Sequence, residues 1–196
     1  MKDLRKTVYR SAAIVGILLL ATLCGFLYQQ IWDRIDRVRY PQDYSEYVSE
    51  YASAYGVPEY IVYAVIRTES GFVSNARSDA GAVGLMQITP DTFEWISMLM
   101  KKQLDSGMLY DPRTNIEYGT YLLSYLYMRY NRWDTVFAAY NAGAARVDGW
   151  LADEENTDKD GRLVSIPYEE TRRYVNKVND AILVYKRLYY SPESYS

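Results

Sequence analysis

Eighteen consecutive residues without a charge, Ser11 to Tyr28 (SAAIVGILLLATLCGFLY), divide this chain into two unequal parts. Wound as a helix, they would reach about 27 Å, close to the thickness of a bilayer's hydrocarbon core. The alternative, a buried core helix of a soluble domain, is disfavoured because the run has no polar face. Lys2, Arg5, Lys6 and Arg10 precede it. The segment therefore reads as a single membrane-spanning anchor or a signal peptide. No clean small-residue cleavage site follows before Trp32, and Leu23 is a poor fit before Cys24 for lipid attachment. A retained anchor is favoured. The basic head places the N-terminus inside and the bulk of the chain on the extracytoplasmic side. Arg34, Arg37 and Arg39 weaken that asymmetry, with Asp33 and Asp36 beside them. The expected organisation is a cytoplasmic basic N-terminus (1–10), an anchor (11–28), a juxtamembrane linker (29–43), one domain (44–190) and a short C-terminal tail (191–196).

Residues 41–196 are enough chain for one sizeable core. They carry 15 basic and 22 acidic side chains, a formal charge of −7. That balance argues against a nucleic-acid partner, which needs a basic footprint. The one cysteine, Cys24, lies inside the apolar run, and the chain contains no histidine. Disulfides, thiolate or imidazole nucleophile systems and the usual zinc sites are thereby excluded from the domain. Its chemistry is left to carboxylates, hydroxyls, amides and backbone. No metal site or cofactor is expected, and protein partners are not specified.

The domain reads as all-α. Helices are expected over Tyr44–Tyr55, ended by Gly56, and from Pro58 to about Glu69. Ser70 to Gln87 is irregular. Thr89-Pro90 should cap and open a helix to about Lys102, and Asp111-Pro112 a long one to about Tyr130. Asp105 to Tyr110 reads as a loop. Shorter helices are expected over Trp133–Tyr140 and Ala144–Trp150, and a long final one over Tyr168–Tyr190. Any hairpin should be confined to the acidic 151–166 loop. Most of the 22 tyrosines are expected to serve packing.

Val62, Val65, Ile66 and Glu69 follow the i, i+3, i+4, i+7 spacing of a core-facing helical stripe. Glu69 thus occupies a slot meant for an apolar side chain. It also sits in the last turn, where the helix dipole disfavours negative charge. Burial and dipole both raise a carboxyl pKa, which suits a general acid. An ordinary helix-end charge, paired with Arg67 or Arg77, would occupy the same position.

Three further segments bear on the choice. Ser78 to Thr92 (SDAGAVGLMQITPDT) holds two glycines, a soft Met86 and a donor–acceptor Gln87. Ala138 to Val147 (AAYNAGAARV) sets Tyr140 and Asn141 among small residues, and Glu170 to Val178 (ETRRYVNKV) adds Tyr174. Singly these are weak signals. Glu69-Ser70, Gly84-Leu85-Met86-Gln87, Ala139-Tyr140-Asn141 and Tyr174, in that order, resemble the catalytic domain of soluble-type lytic transglycosylases, related in fold to goose-type lysozyme. The resemblance spans roughly 44–190.

The resemblance implies a lysozyme-like helical domain with a cleft for peptidoglycan glycan strands. It implies cleavage of the β-1,4 bond between N-acetylmuramic acid and N-acetylglucosamine, leaving a 1,6-anhydromuramic end. Glu69 matches the acid/base glutamate, and Ser70 the residue orienting that carboxyl and the substrate's acetamido group. Gly84, Leu85, Met86 and Gln87 match the loop beside the scissile bond. Tyr140 and Asn141 match cleft-lining groups, and Tyr174 a tyrosine near the glutamate. The large superhelical arm of the soluble namesake has no counterpart in these residues. Asp79 and Asp91, the nearest downstream carboxylates, match no partner role. A lysozyme-type hydrolase and a non-catalytic glycan-binding scaffold are the alternative functions.

Overall fold

A computed structural model describes residues 2–102 and 104–190, with side chains from Ile14 onward. The chain divides into two compact units, 1–41 and 42–196. The first is one helix, α1 (Lys2–Arg39), about 57 Å long at the helical rise. Its apolar side chains from Ile14 to Tyr28 are exposed, and Ile14–Arg39 is long and apolar enough to cross a membrane. The segment expected as a linker continues the helix to Arg39, helped by a Gln29–Asp33 side-chain bond of 3.0 Å one turn apart. The basic side chains before Ser11 and the tail 191–196 lie outside the described residues.

The second unit is helical, as expected. Its helices are α2 (Ser45–Tyr55), α3 (Glu59–Glu69), α4 (Pro90–Met100), α5 (Pro112–Tyr130), α6 (Trp133–Ala142), α7 (Ala144–Leu151) and α8 (Glu169–Tyr189). The caps read from sequence operate. Thr89 accepts from the Thr92 amide at 3.2 Å, and Asp111 from the Thr114 amide at 2.8 Å. Each precedes a proline in the first turn, where a missing N–H costs nothing.

Three details differ from expectation. α4 stops at Met100, because Lys101 turns left-handed (φ 55°). Ser106–Tyr110 is a short 3₁₀ helix capped by Asp105, not a plain loop. Bridged backbone is not confined to the 151–166 loop. Besides Thr157 with Leu163, Val83 pairs with both Arg77 and Ile88, folding the 70–89 segment back on itself.

α3 and α8 form the most extensive helix pair, and aromatic contacts run along it. Tyr60 meets Tyr190 at a ring separation of 5.6 Å, and Tyr63 stacks on Tyr185 at 5.4 Å. The Tyr190 hydroxyl donates to Glu59 at 2.9 Å. The pairing is antiparallel, so the C-terminal end of α3 meets the N-terminal part of α8. Val62, Val65 and Ile66 are fully buried on the α3 stripe.

The 70–89 segment is locked from beneath by Asn115 of α5, which is 1 % exposed. Its Oδ1 accepts from the Met86 amide at 2.7 Å. Its Nδ2 donates to the carbonyls of Val83 and Leu109 at 2.9 and 2.8 Å. One amide side chain thus satisfies three backbone groups that would otherwise be buried unpaired. Met86 lies against Gly119 of α5, where any side chain would strike its sulfur.

Gly84 makes this approach possible. Its φ is +82°, and a Cβ there would strike the Asn115 amide and come within 2.6 Å of the Leu109 carbonyl. Gly81 has the same φ, +82°, with nothing within 4 Å of a Cβ. Gly81→Ala should therefore cost only the left-handed backbone term, about 1–2 kcal/mol. Gly84→Ala should cost about 1–3 kcal/mol more, from the steric clash. Denaturant midpoints of the two variants at matched pH measure the difference.

Candidate active site

Glu69 ends α3 and opens onto a cavity of about 360 Å³ lined also by Thr68, Asn141, Glu170, Arg173, Tyr174 and Lys177. The continuing α3 stripe carries its carboxyl from the core to the cavity floor. Ser70 closes the helix, its amide bonding the Ile66 carbonyl at 3.1 Å, and Gly71 follows with φ +58°. Tyr174, 8 % exposed, donates its hydroxyl to Glu69 Oε1 at 2.7 Å. Burial pushes the Glu69 carboxyl up to about 7, and the hydrogen bond from Tyr174 pulls the other way. Burial dominates, so at neutral pH the group is balanced between acid and base.

Tyr140 and Tyr174 both have phenols held well above their ordinary range, first by burial and then by the Glu69 carboxyl. Both stay protonated and remain donors. The Tyr140 hydroxyl is spent on the Met86 carbonyl at 2.8 Å. That bond fastens the end of α6 to the 70–89 segment. Tyr140 also lines a second, more apolar cavity of about 280 Å³ with Trp95, Leu122, Leu126 and Ala139. The neighbouring residues Tyr140 and Asn141 thus each face a different cavity.

The other residues singled out in the sequence are drawn together in less direct ways. Ser70 donates its hydroxyl to the Leu85 carbonyl at 2.8 Å, joining the end of α3 to the loop. Leu85 and Met86 are fully buried, so they face the core and offer the site backbone only. Gly84 supplies clearance. Gln87 turns left-handed (φ 49°) and donates to the carbonyls of Gly84 and Ala76 at 2.9 and 3.2 Å. Asp79 and Asp91 are exposed and line neither cavity.

Sequence reasoning missed Thr68, Glu170, Arg173 and Lys177 in the cavity wall, and Asn115 beneath the loop. A faint signal existed for α8: positions 170, 173 and 177 share one helical face with Tyr174. Nothing marked Asn115, a polar residue among other helix positions.

The arrangement is a helical domain with one proton-exchanging carboxyl at the floor of a polar cavity and one donor fixed to it. It has the elements of general acid–base catalysis. The family described as the transglycosylase SLT domain matches residues 46–162, and the chain belongs to that family. The soluble lytic murein transglycosylase of Escherichia coli is 37 % identical over 163 residues, covering 81 % of this chain and 24 % of the relative. The membrane-bound lytic murein transglycosylase C of Yersinia enterocolitica is 33 % identical, covering 74 % of this chain and 47 % of the relative. The chain thus matches about a quarter of the soluble relative and about half of the membrane-bound one. The crystal structure of the 70 kDa soluble lytic transglycosylase of Escherichia coli superposes with TM-score 0.73 at 32 % identity, over 84 % of this chain and 27 % of that one. A 70 kDa soluble lytic transglycosylase in complex with bulgecin A gives 0.71 at 34 % identity, over 81 % and 26 %. An inactive mutant of the Pseudomonas aeruginosa enzyme, with glutamine in place of one glutamate, gives 0.71 at 33 % identity, over 80 % and 26 %.

The raised Glu69 carboxyl has a consequence for stability. In the unfolded chain the group titrates near 4.5, and in the folded chain near 7. The folded state holds the proton more tightly, so stability falls as pH rises from 4.5 to 7. Above that window the full cost applies, up to about 3 kcal/mol. Glu69→Gln keeps an acceptor for Tyr174 and removes the ionisation. It should match the parent in stability near pH 4 and exceed it progressively toward pH 8. Thermal unfolding across that range measures the gap.

Proposed function

We propose that this chain is a peptidoglycan lytic transglycosylase, held at the membrane by α1 as a single-pass anchor with its catalytic domain on the extracytoplasmic side. The observation that carries the activity is the Glu69 carboxyl, poised near pH 7 by burial and held by Tyr174 at 2.7 Å. Protonated Glu69 gives its proton to the glycosidic oxygen between N-acetylmuramic acid and N-acetylglucosamine. Positive charge develops at the muramic C1, and the substrate's acetamido group stabilises it. Glu69, now a carboxylate, takes the proton of the muramic C6 hydroxyl as that oxygen attacks C1. The product is a 1,6-anhydromuramic end, and Glu69 regains its proton in the same cycle.

Most glycosidases need two carboxylates flanking the scissile bond. A nucleophile within the substrate relaxes that need. Glu170 is the second carboxylate of the cavity wall, and its presence favours one rival: hydrolysis, with water in place of the C6 hydroxyl. Mass spectrometry of digested peptidoglycan separates the two, because the anhydro product lacks one water. The full chain in detergent should release anhydro ends. Reducing ends alone would overturn the transglycosylase assignment. Glu69→Gln should lower turnover by about a thousandfold or more while keeping the fold. Full activity in that variant would remove Glu69 as the acid, whereas no cutting by the unmutated chain would leave only a glycan-binding scaffold.

Activity should fall on the alkaline side as Glu69 loses its proton, with an apparent midpoint near 7. Tyr174→Phe removes the one bond that favours the carboxylate. The alkaline limb of its kcat profile should therefore move to higher pH, alongside a lower maximum. A shift to lower pH would contradict the assigned role of Tyr174.

A further inference from the structure

α8 turns Glu170, Arg173, Tyr174 and Lys177 toward the Glu69 cavity. Tyr174 is occupied by Glu69 at 2.7 Å. The two cations have no comparable duty inside the fold. Lys177 makes no hydrogen bond or ion pair among the described residues. Arg173 reaches Glu169 at 3.7 Å, and both partners are about two-thirds exposed, at 66 and 67 %. Such a solvated pair at one turn's spacing is weak and exchanges readily with another anion. Burial and Tyr174 account for the position of the Glu69 proton, and neither cation contributes to it.

These charges are also against the trend of the molecule. The domain carries a net −7, yet two cations, Arg173 and Lys177, line this cavity beside Glu170, with Glu169 only a weak, solvated partner of Arg173. Lys177, unpaired among the described residues, and a weakly held Arg173 leave cationic donors at that wall that an incoming anion can take up. Arg173 supplies a planar fork suited to a carboxylate, and Lys177 a mobile point charge. N-acetylmuramic acid differs from N-acetylglucosamine by a lactyl ether. Its carboxyl is free in stripped strands and is extended by an acidic peptide in intact ones.

We infer that Arg173 and Lys177 bind a carboxylate carried on the muramic substituent and so select acidic strands over neutral ones. This deepens the glycan-cleaving proposal and rests on it. Two sources share the chemistry, the lactyl carboxylate and the peptide carboxylates.

The test measures binding by the full chain in detergent, carrying Glu69→Gln so that strands stay intact. Three soluble ligands are compared: peptide-bearing strands, amidase-stripped strands, and stripped strands whose carboxyls have been chemically amidated. Adding Arg173→Gln with Lys177→Gln should weaken binding of the acidic strands about three- to tenfold. The deficit should shrink at about 0.5 M salt. Amidated strands should show no such change. A loss on stripped strands identifies the lactyl carboxylate, and a loss on peptide-bearing strands alone identifies the peptide. Lys101→Gln with Lys159→Gln, two exposed lysines outside the cavity, controls for bulk charge. Equal losses on acidic and amidated strands, no loss on acidic strands, or the same loss in the control pair would each overturn the inference. Absence of cutting by the unmutated chain would instead remove the glycan-cleaving proposal and leave the binding comparison standing.

Discussion

The hydrogen bond from Tyr174 to Glu69 is where the packing of this domain becomes chemistry. A carboxyl desolvated at a helix end costs stability when charged, and one donor offsets part of that cost. The bond holds because α3 and α8 run antiparallel and are tied along their length. Tyr63 on Tyr185 and Tyr60 on Tyr190 fix the register, and Tyr174 then falls opposite Glu69. A slip of one turn between these helices would move the phenol about 5 Å and leave the carboxyl without its partner.

The loop between α3 and α4 is the second dependency. It carries no long element of its own, so its shape is set by side chains from elsewhere. Asn115 holds it from beneath, Tyr140 fastens it at the Met86 carbonyl, and Ser70 ties it to the end of α3 at the Leu85 carbonyl. Met86 and Leu85 then act as anchors sunk into the core. Ser70, Leu85, Met86 and Tyr140 thus hold together the frame around the cavity. Gly84 and Gly119 leave the space that frame needs.

Charge is distributed to match. The acidic surplus lies over the domain surface and the 151–166 loop, while Arg173 and Lys177 stand at the cavity with Glu69. In the proposed binding role those two cations select acidic strands, while the proton on Glu69 is set by burial and Tyr174. The apolar helix α1 is a separate unit with its own physical demand, a low-dielectric surrounding for its exposed Ile, Leu and Phe side chains.

Periodicity, caps and punctuation were enough to read the helices from the amino-acid order alone. Thr89-Pro90 and Asp111-Pro112 signal locally, through bonds that span three residues, and the α3 stripe placed Glu69 at the core's edge before any fold was known. The end of α4 and the bridges around Val83 were not legible, because a left-handed lysine and a backbone pairing carry no side-chain pattern. The tertiary structure alone decided that Asn115 supports the loop, that Leu85 and Met86 face inward, and that Glu170, Arg173 and Lys177 share the cavity with Glu69. The reason is distance along the chain. Glu69 and Tyr174 stand 105 residues apart, and only the packing of helix on helix brings such groups within reach of one proton.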